Sequence, residues 1–446
     1  MISSRVFLTT VLLAAVFLTA CETVENLLPE RKVRTKIEGE RVSVMALEEQ
    51  LKSDPQMADV PVQLPPPYSN KEWPEPGGYA DNVMHHLEAG GPLQTVWTAS
   101  AGKGSDDYSR LSAPPIIAED RVFALDAESN VTAFDAKTGA PVWSTNLAPD
   151  ADDPDKGAGG GLAYDDGRIF AASGFGYVKA LDAKTGKEIW KANLSVPISD
   201  APVVNGGRVF AITQENHLYA LAAADGRVLW DHTGIVESAG IISGTSPAVA
   251  GELIVAPYSS GELFALRVDN GRAAWNDALS RTGTTTPMTA INDIAGRPVI
   301  DRGLVFAISH SGRMAAIDVR TGERVWTINI GGTQTPWVAG DFIFVVSIDA
   351  KLICLARKDG RIKWLTQLAQ YEDPDGKNSP IYWAGPVLVS DRLLLLSSNG
   401  HAVSVSPYTG KIMGQVEIPD GAFITPVVAG GMVYLLTNGA QLVALK

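Results

Sequence analysis

Six histidines, two cysteines and one run of aspartates are the side chains here whose types invite a search for chemistry. His85, His86, His217, His232, His310 and His401 lack the spaced cysteine or carboxylate partners that a zinc centre draws on. His217 and His401 fall at corresponding turns of a repeat, with His310 close to that turn, so they read as surface turn residues. The sequence gives His85 and His86 no such place. The run Asp150-Ala151-Asp152-Asp153-Pro154-Asp155-Lys156-Gly157 offers carboxylates to calcium. It lacks the glycine and terminal glutamate spacing of an EF-hand loop and reads as a solvated connection. No Gly-x-Ser-x-Gly, phosphate-loop or zinc-peptidase pattern occurs. The expectation is a chain with no catalytic residue, no metal ligand and no cofactor.

The elements around these residues are repetitive. Ala133–Trp143 reads Ala-Phe-Asp-Ala-Lys-Thr-Gly-Ala-Pro-Val-Trp, and Ala180–Trp190 reads Ala-Leu-Asp-Ala-Lys-Thr-Gly-Lys-Glu-Ile-Trp. Weaker copies end at Trp230, Trp275, Trp326 and Trp364. A period of roughly 40–50 residues marks a propeller or solenoid. Short β-branched and aromatic strands separated by Gly-Gly, Asp-Gly or Thr-Gly are hairpin signals, and no helical periodicity competes. Eight copies can be counted, and the eighth, opening at Thr425-Pro426, lacks its last strand. Thr95-Val96-Trp97-Thr98 matches that missing strand. The expected fold is therefore all-β, an eight-bladed propeller of four-stranded antiparallel blades over residues 92–446. The strand around Trp97 would join the C-terminal blade and close the ring.

In this scheme Trp97, Trp143, Trp190, Trp230, Trp275, Trp326 and Trp364 dock each blade on its neighbour. The glycine four residues before each internal tryptophan permits a tight turn. Gly414 stands where the seventh blade should have its tryptophan, which predicts the weakest contact of the ring. Cys354 aligns with Ala133, Ala180, Ala220, Ala265 and Ala316, so it reads as a small buried packing residue. A net charge of −13 leaves no basic surface for nucleic acid.

The N-terminus is separate. Met1–Arg5 is a short positive start, and Val6–Ala20 is an apolar run with the length of a signal-peptide core. Residues 1–20 are read as a signal peptide. Leu18-Thr19-Ala20-Cys21 resembles a bacterial lipobox, which implies cleavage before Cys21 and lipidation of that residue. Glu22 at the next position implies sorting to the outer membrane. Residues 21–91 then read as a proline-rich tether, carrying Pro61-Val62-Gln63-Leu64-Pro65-Pro66-Pro67 and unable to form a core of its own. Tyr68, Trp73 and Tyr79 are the exception, since aromatics in a linker often dock on something, the protein's own propeller included.

The phrase Ala-x-Asp-x-x-x-Gly-x-x-x-Trp resembles the docking repeat of pyrroloquinoline-quinone (PQQ) dehydrogenases, which are eight-bladed propellers. That family carries adjacent cysteines, a calcium ion, a catalytic aspartate and long pocket-building insertions. The two cysteines here are not adjacent, and no metal set can be assembled from the turns. A shared repeat reports fold rather than activity. The lipobox, the repeats and the absent catalytic set together resemble the BamB family, lipoproteins of the outer-membrane β-barrel assembly (BAM) machinery. That resemblance implies a non-enzymatic scaffold, anchored in the outer membrane by lipid and facing the periplasm. It would dock on the POTRA domains of BamA, through BamA reach the other BAM subunits, and assist unfolded outer-membrane proteins. A PQQ-dependent periplasmic dehydrogenase and a generic ligand-binding propeller are the alternatives.

Two neighbouring connections, 232–246 and 279–297, are long and apolar. Exposed apolar loops of this kind mark binding surfaces unless they fold back over the ring and cover themselves. Ile235, Ile241, Ile242, Ser243, Ile291, Asp293 and Ile294 are the candidate partner-binding residues. The resemblance matches Asp293 to a family aspartate that contacts BamA. Ile242 or Ser243 falls where the family has an arginine.

Overall fold

The computed structural model describes residues 51–446, except 107–108, 150–156, 158, 238–244 and 281–290. Eight four-stranded antiparallel sheets follow one another, seven of them with their strands in sequence order, and the chain is an eight-bladed β-propeller. Blade 1 spans Ile116–Asn146, blade 2 Gly160–Asn193, blade 3 Val203–Thr233 and blade 4 Ala248–Ala278. Blade 5 spans Val299–Ile328, blade 6 Trp337–Gln367 and blade 7 Trp383–Glu417. In blade 8, strands Val427–Ala429, Met432–Leu436 and Gln441–Leu445 are joined by Thr95–Ser100 from the start of the ring. Thr95 lies opposite Leu445 and Ser100 opposite Gln441.

One row of side chains repeats across the blades. Phe123, Ala133 and Trp143 are register partners on strands two, three and four of blade 1. The same row is Phe170–Ala180–Trp190 in blade 2, Phe210–Ala220–Trp230 in blade 3 and Phe344–Cys354–Trp364 in blade 6. The small middle residue leaves room for the indole to lean over the phenylalanine, with ring centroids 5.8 Å apart in blade 1 and 5.9 Å apart in blade 6. Cys354 is fully buried, as its place in the repeat requires, and burial pushes its thiol far above the ordinary value.

Each indole then reaches the next blade. Nε1 of Trp97, Trp143, Trp190 and Trp230 donates to the carbonyls of Ala136, Ala183, Ala223 and Val268 at 3.1, 3.0, 3.0 and 2.9 Å. Trp275, Trp326 and Trp364 donate to Val319, Arg357 and Pro407 at 2.8, 2.8 and 3.0 Å. The turn glycines serve two purposes. Gly226 has φ +75°, and a Cβ added there would fall 2.5 Å from the ring of Trp190 in the preceding blade. The glycine is needed for the turn and also for the seat of the neighbour's indole.

Blade 7 lacks the row, which reads Leu394–Ser404–Gly414. A Cβ at Gly414 would meet nothing within 4 Å. The reason is topological. The third and fourth strands of blade 8 come from opposite ends of the sequence, so no Thr-Gly turn joins them to receive an indole. The contact expected to be weakest has no seat to occupy.

The proline-rich segment differs from a flexible tether. Lys52–Lys446 form one compact unit, so residues 52–91 belong with the blades. This strap makes a full circuit along the ends of the first strands. Asn70 bonds Val428 and Gly430 of blade 8, Trp73 pairs with Ile117 of blade 1, and the Pro74 carbonyl accepts from Tyr164 of blade 2. Glu75 accepts from Val204 of blade 3, and the carbonyls of Ala80 and Asp81 accept from Val249 and Ile300 of blades 4 and 5. The His85 carbonyl accepts from Trp337 of blade 6, Leu87 pairs beside Val389 of blade 7, and Gly90 returns to Gly431 of blade 8. First strands expose an unpaired edge toward the ring centre, and an extended chain can satisfy it. Trp73 and Leu87 are buried in the process. His86 is buried too, with Nδ1 on the Pro65 carbonyl and Nε2 accepting from the Asp391 amide, which makes it a structural pin.

Candidate functional site

The antiparallel order of each blade gives the propeller two unlike faces. The strap covers the face of the first-to-second-strand turns. The opposite face carries the second-to-third-strand turns and the connections between blades, including the two long ones.

Ile235 and Val236 project from the first of these, each 58 % exposed. Their base is fixed by polar groups. The Ile235 amide donates to Glu262 Oε2 at 3.0 Å, and its carbonyl accepts from Asn216 Nδ2 at 2.5 Å. Asn216 also bonds Ser259 of the next blade. Beneath them His232 Nδ1 lies 2.8 Å from the Tyr258 hydroxyl, and the imidazole stacks on the Tyr258 ring and tilts against Phe264. Burial holds His232 below the ordinary histidine value. The far ends of both loops are tied by Asp200, which accepts from the Ser246 amide and from Arg297 Nη2 at 3.0 and 3.1 Å.

The second connection is largely turned inward. Ile294 is fully buried in the core between blades 4 and 5, and its carbonyl accepts from Thr245 Oγ1. Asp293 is 5 % exposed and engaged with other groups, and its carbonyl accepts from the His310 amide. Ile291 is half-buried. Asp293 and Ile294, expected as partner contacts, are thus both buried in this chain; for Ile294 the reason is that an apolar loop residue next to a strand is covered most cheaply by its own core. Ile241, Ile242 and Ser243 lie outside the described residues, as do Cys21 and all but Gly157 of the aspartate run. The seven tryptophans all stand at blade seams.

Glu262, Asn216 and Asp200 carry no sequence signal, since lone polar residues near turns are common. Among the described residues no group of three histidine, cysteine, aspartate or glutamate side chains could hold a metal ion. His217 pairs with Asp231 at 2.8 Å and His401 lies beside Asn399, both at turn ends.

A family model described as Outer membrane protein assembly factor BamB matches residues 127–366, more than half of the chain. The chain belongs to the BamB family. The assembly factor BamB of Moranella endobia is 27% identical over 355 residues, covering 78% of this chain and 88% of its own length. That of Yersinia pestis is 26% identical, covering 75% and 84%. The crystal structure of BamB from Moraxella catarrhalis matches with a TM-score of 0.66 at 18% identity, over 79% of this chain and 99% of that one. A europium-containing methanol dehydrogenase matches at 0.65 with 16% identity, covering 82% and 89%. That likeness concerns the fold alone. The matched BamB segment runs from blade 1 into blade 6 and includes the Ile235 loop. The strap lies outside it.

Proposed function

We propose that this protein is a non-catalytic scaffold of the outer-membrane β-barrel assembly complex, docking on the periplasmic POTRA domains of BamA. Membership of the BamB family supports the general role. The observation that carries the docking reading is the pair Ile235 and Val236, exposed on a loop whose base is pinned by Glu262 and Asn216. A rigid apolar projection loses little conformational freedom when it is covered, which suits a docking surface. With Asp293 and Ile294 turned inward, the contact would rest on these two residues, on the half-buried Ile291, and on Ile241, Ile242 and Ser243 of the same connection as Ile235.

Cys21 would carry the lipid that holds the scaffold at the periplasmic face of the outer membrane. Among the described residues no helix is long and apolar enough to cross a membrane.

Co-purification from detergent-solubilised outer membranes tests both statements. Ile235→Glu with Val236→Glu should reduce recovery of BamA at least tenfold while leaving the protein folded. Undiminished recovery removes this loop from the contact. Cys21→Ala should move the protein into the soluble fraction, and continued membrane association would contradict the anchor.

A further inference from the structure

On the loop face of blades 6 to 8, away from Ile235, lies a second apolar surface. Tyr382 and Phe423 are 58 % and 49 % exposed, and their rings pack together with centroids 5.8 Å apart. Ile348, 53 % exposed, rises from the neighbouring turn of blade 6. The three connections are knit at their bases. Gln370 Nε2 donates to the Asp349 carbonyl, the Ile381 amide to the Gln370 carbonyl, and the Ala422 amide to the Ser397 carbonyl. Apolar side chains held open on rigid turns are costly in water unless something covers them.

The surroundings say what kind of partner fits. An extra hairpin, Tyr371–Asp373 with Asn378–Pro380, stands on the connection that leads to Tyr382, and Glu372–Pro380 are all exposed. It carries Glu372, Asp373 and Asp375 against a single cation, Lys377. Glu417 and Asp420 add two carboxylates on the Phe423 side. Asp373 caps its own turn through the Gly376 amide. None of these five carboxylates forms an ion pair among the described residues. Aromatic faces and unpaired carboxylates share one preferred ligand, the guanidinium group, which stacks on rings and binds carboxylates with a fork of donors. We infer that the Ile348–Tyr382–Phe423 surface docks an extended, arginine-bearing segment of a partner protein, at a place separate from the Ile235 loop. A second copy of this chain would bring the same acidic rim against itself, and an anionic lipid surface would be repelled.

The test uses the full-length protein and fluorescence anisotropy with a labelled twelve-residue peptide of alternating arginine and leucine. Binding should weaken at least tenfold in Tyr382→Ser with Phe423→Ser, and comparably in Glu372→Gln with Asp373→Asn and Asp375→Asn. The second variant should also lose most of the salt dependence. Ile235→Ser should bind as the unchanged protein does. The matching glutamate–leucine peptide should not bind. The inference fails if the arginine peptide does not bind, if either multiple variant binds it normally, or if the acidic peptide binds equally well. It fails too if the surface instead mediates self-association or binding to phosphatidylglycerol vesicles, either of them lost on Tyr382→Ser with Phe423→Ser.

Discussion

Gly226 and Trp190 divide one small volume between them: the indole of blade 2 fills the space that a Cβ on the blade 3 turn would need, 2.5 Å from its nearest ring atom. The Trp190 Nε1 donates at 3.0 Å to the Ala223 carbonyl in the same turn. Replacing Gly226 with alanine combines a strained positive φ with an overpacked seam. The two effects together should cost about 2–4 kcal/mol. Urea unfolding measures the loss. Gly414→Ala, which meets open space, should change stability by less than about 0.5 kcal/mol.

Trp73 is nearly fully buried under the ring and lies 6.4 Å from Trp337. Trp73→Ala should cost about 3–5 kcal/mol, the range for a buried aromatic. It should also raise protease cleavage between residues 52 and 91, while Tyr79→Ala, at an exposed site on the same strap, leaves both nearly unchanged. Equal protease resistance in the two variants would mean that the strap does not depend on its buried residues.

Glu75 is buried with one oxygen on the Val204 amide and the other unpartnered. Burial pushes its carboxyl from the usual 4.5 up to about 8. A carboxyl raised in the folded state contributes its full stability below the unfolded value and loses it as pH climbs through the folded one. Stability should therefore fall between pH 4.5 and about pH 8, and Glu75→Gln should flatten that decline. Thermal unfolding of both proteins at several pH values decides this, and identical slopes would contradict it.

Cys354 sits between Phe344 and Trp364 in the blade 6 row. In a Cys21→Ser background its thiol should resist a thiol-specific dye in the native state at pH 8 and react fully in denaturant. Cys354→Ala should cost about 1 kcal/mol or less, because alanine fills this place in most blades. Cys354→Leu should cost about 1–3 kcal/mol by overpacking.

The repeated tryptophan phrase made the blades legible, because each copy solves the same packing problem with the same residues. Cys354 could be placed by alignment for that reason. The strap has no such phrase. Asn70, Trp73, Glu75 and Leu87 each meet a different blade, so no period connects them, and only the aromatics in a proline-rich stretch hinted at docking. Among the candidate partner residues, Ile235 is exposed, as a docking residue must be, whereas Ile294 is buried. An isoleucine in a long loop looks the same in sequence whether a partner covers it or, like Ile294, its own core does. Gly414 was visible as an anomaly, but its cause lies in which strands blade 8 borrows.

The strap also settles where tension would enter the molecule. A pull on the chain from the N-terminal side of Lys52 meets the outer strand of blade 6 first, at the Asp54–Ile362 hydrogen bond and the Lys363 amine on the carbonyls of Met57 and Ala58. Only after those contacts yield would the force reach the circuit from Asn70 to Gly90, where it would be shared among eight blades. A sudden tug would then peel a short lead before it strained the propeller itself.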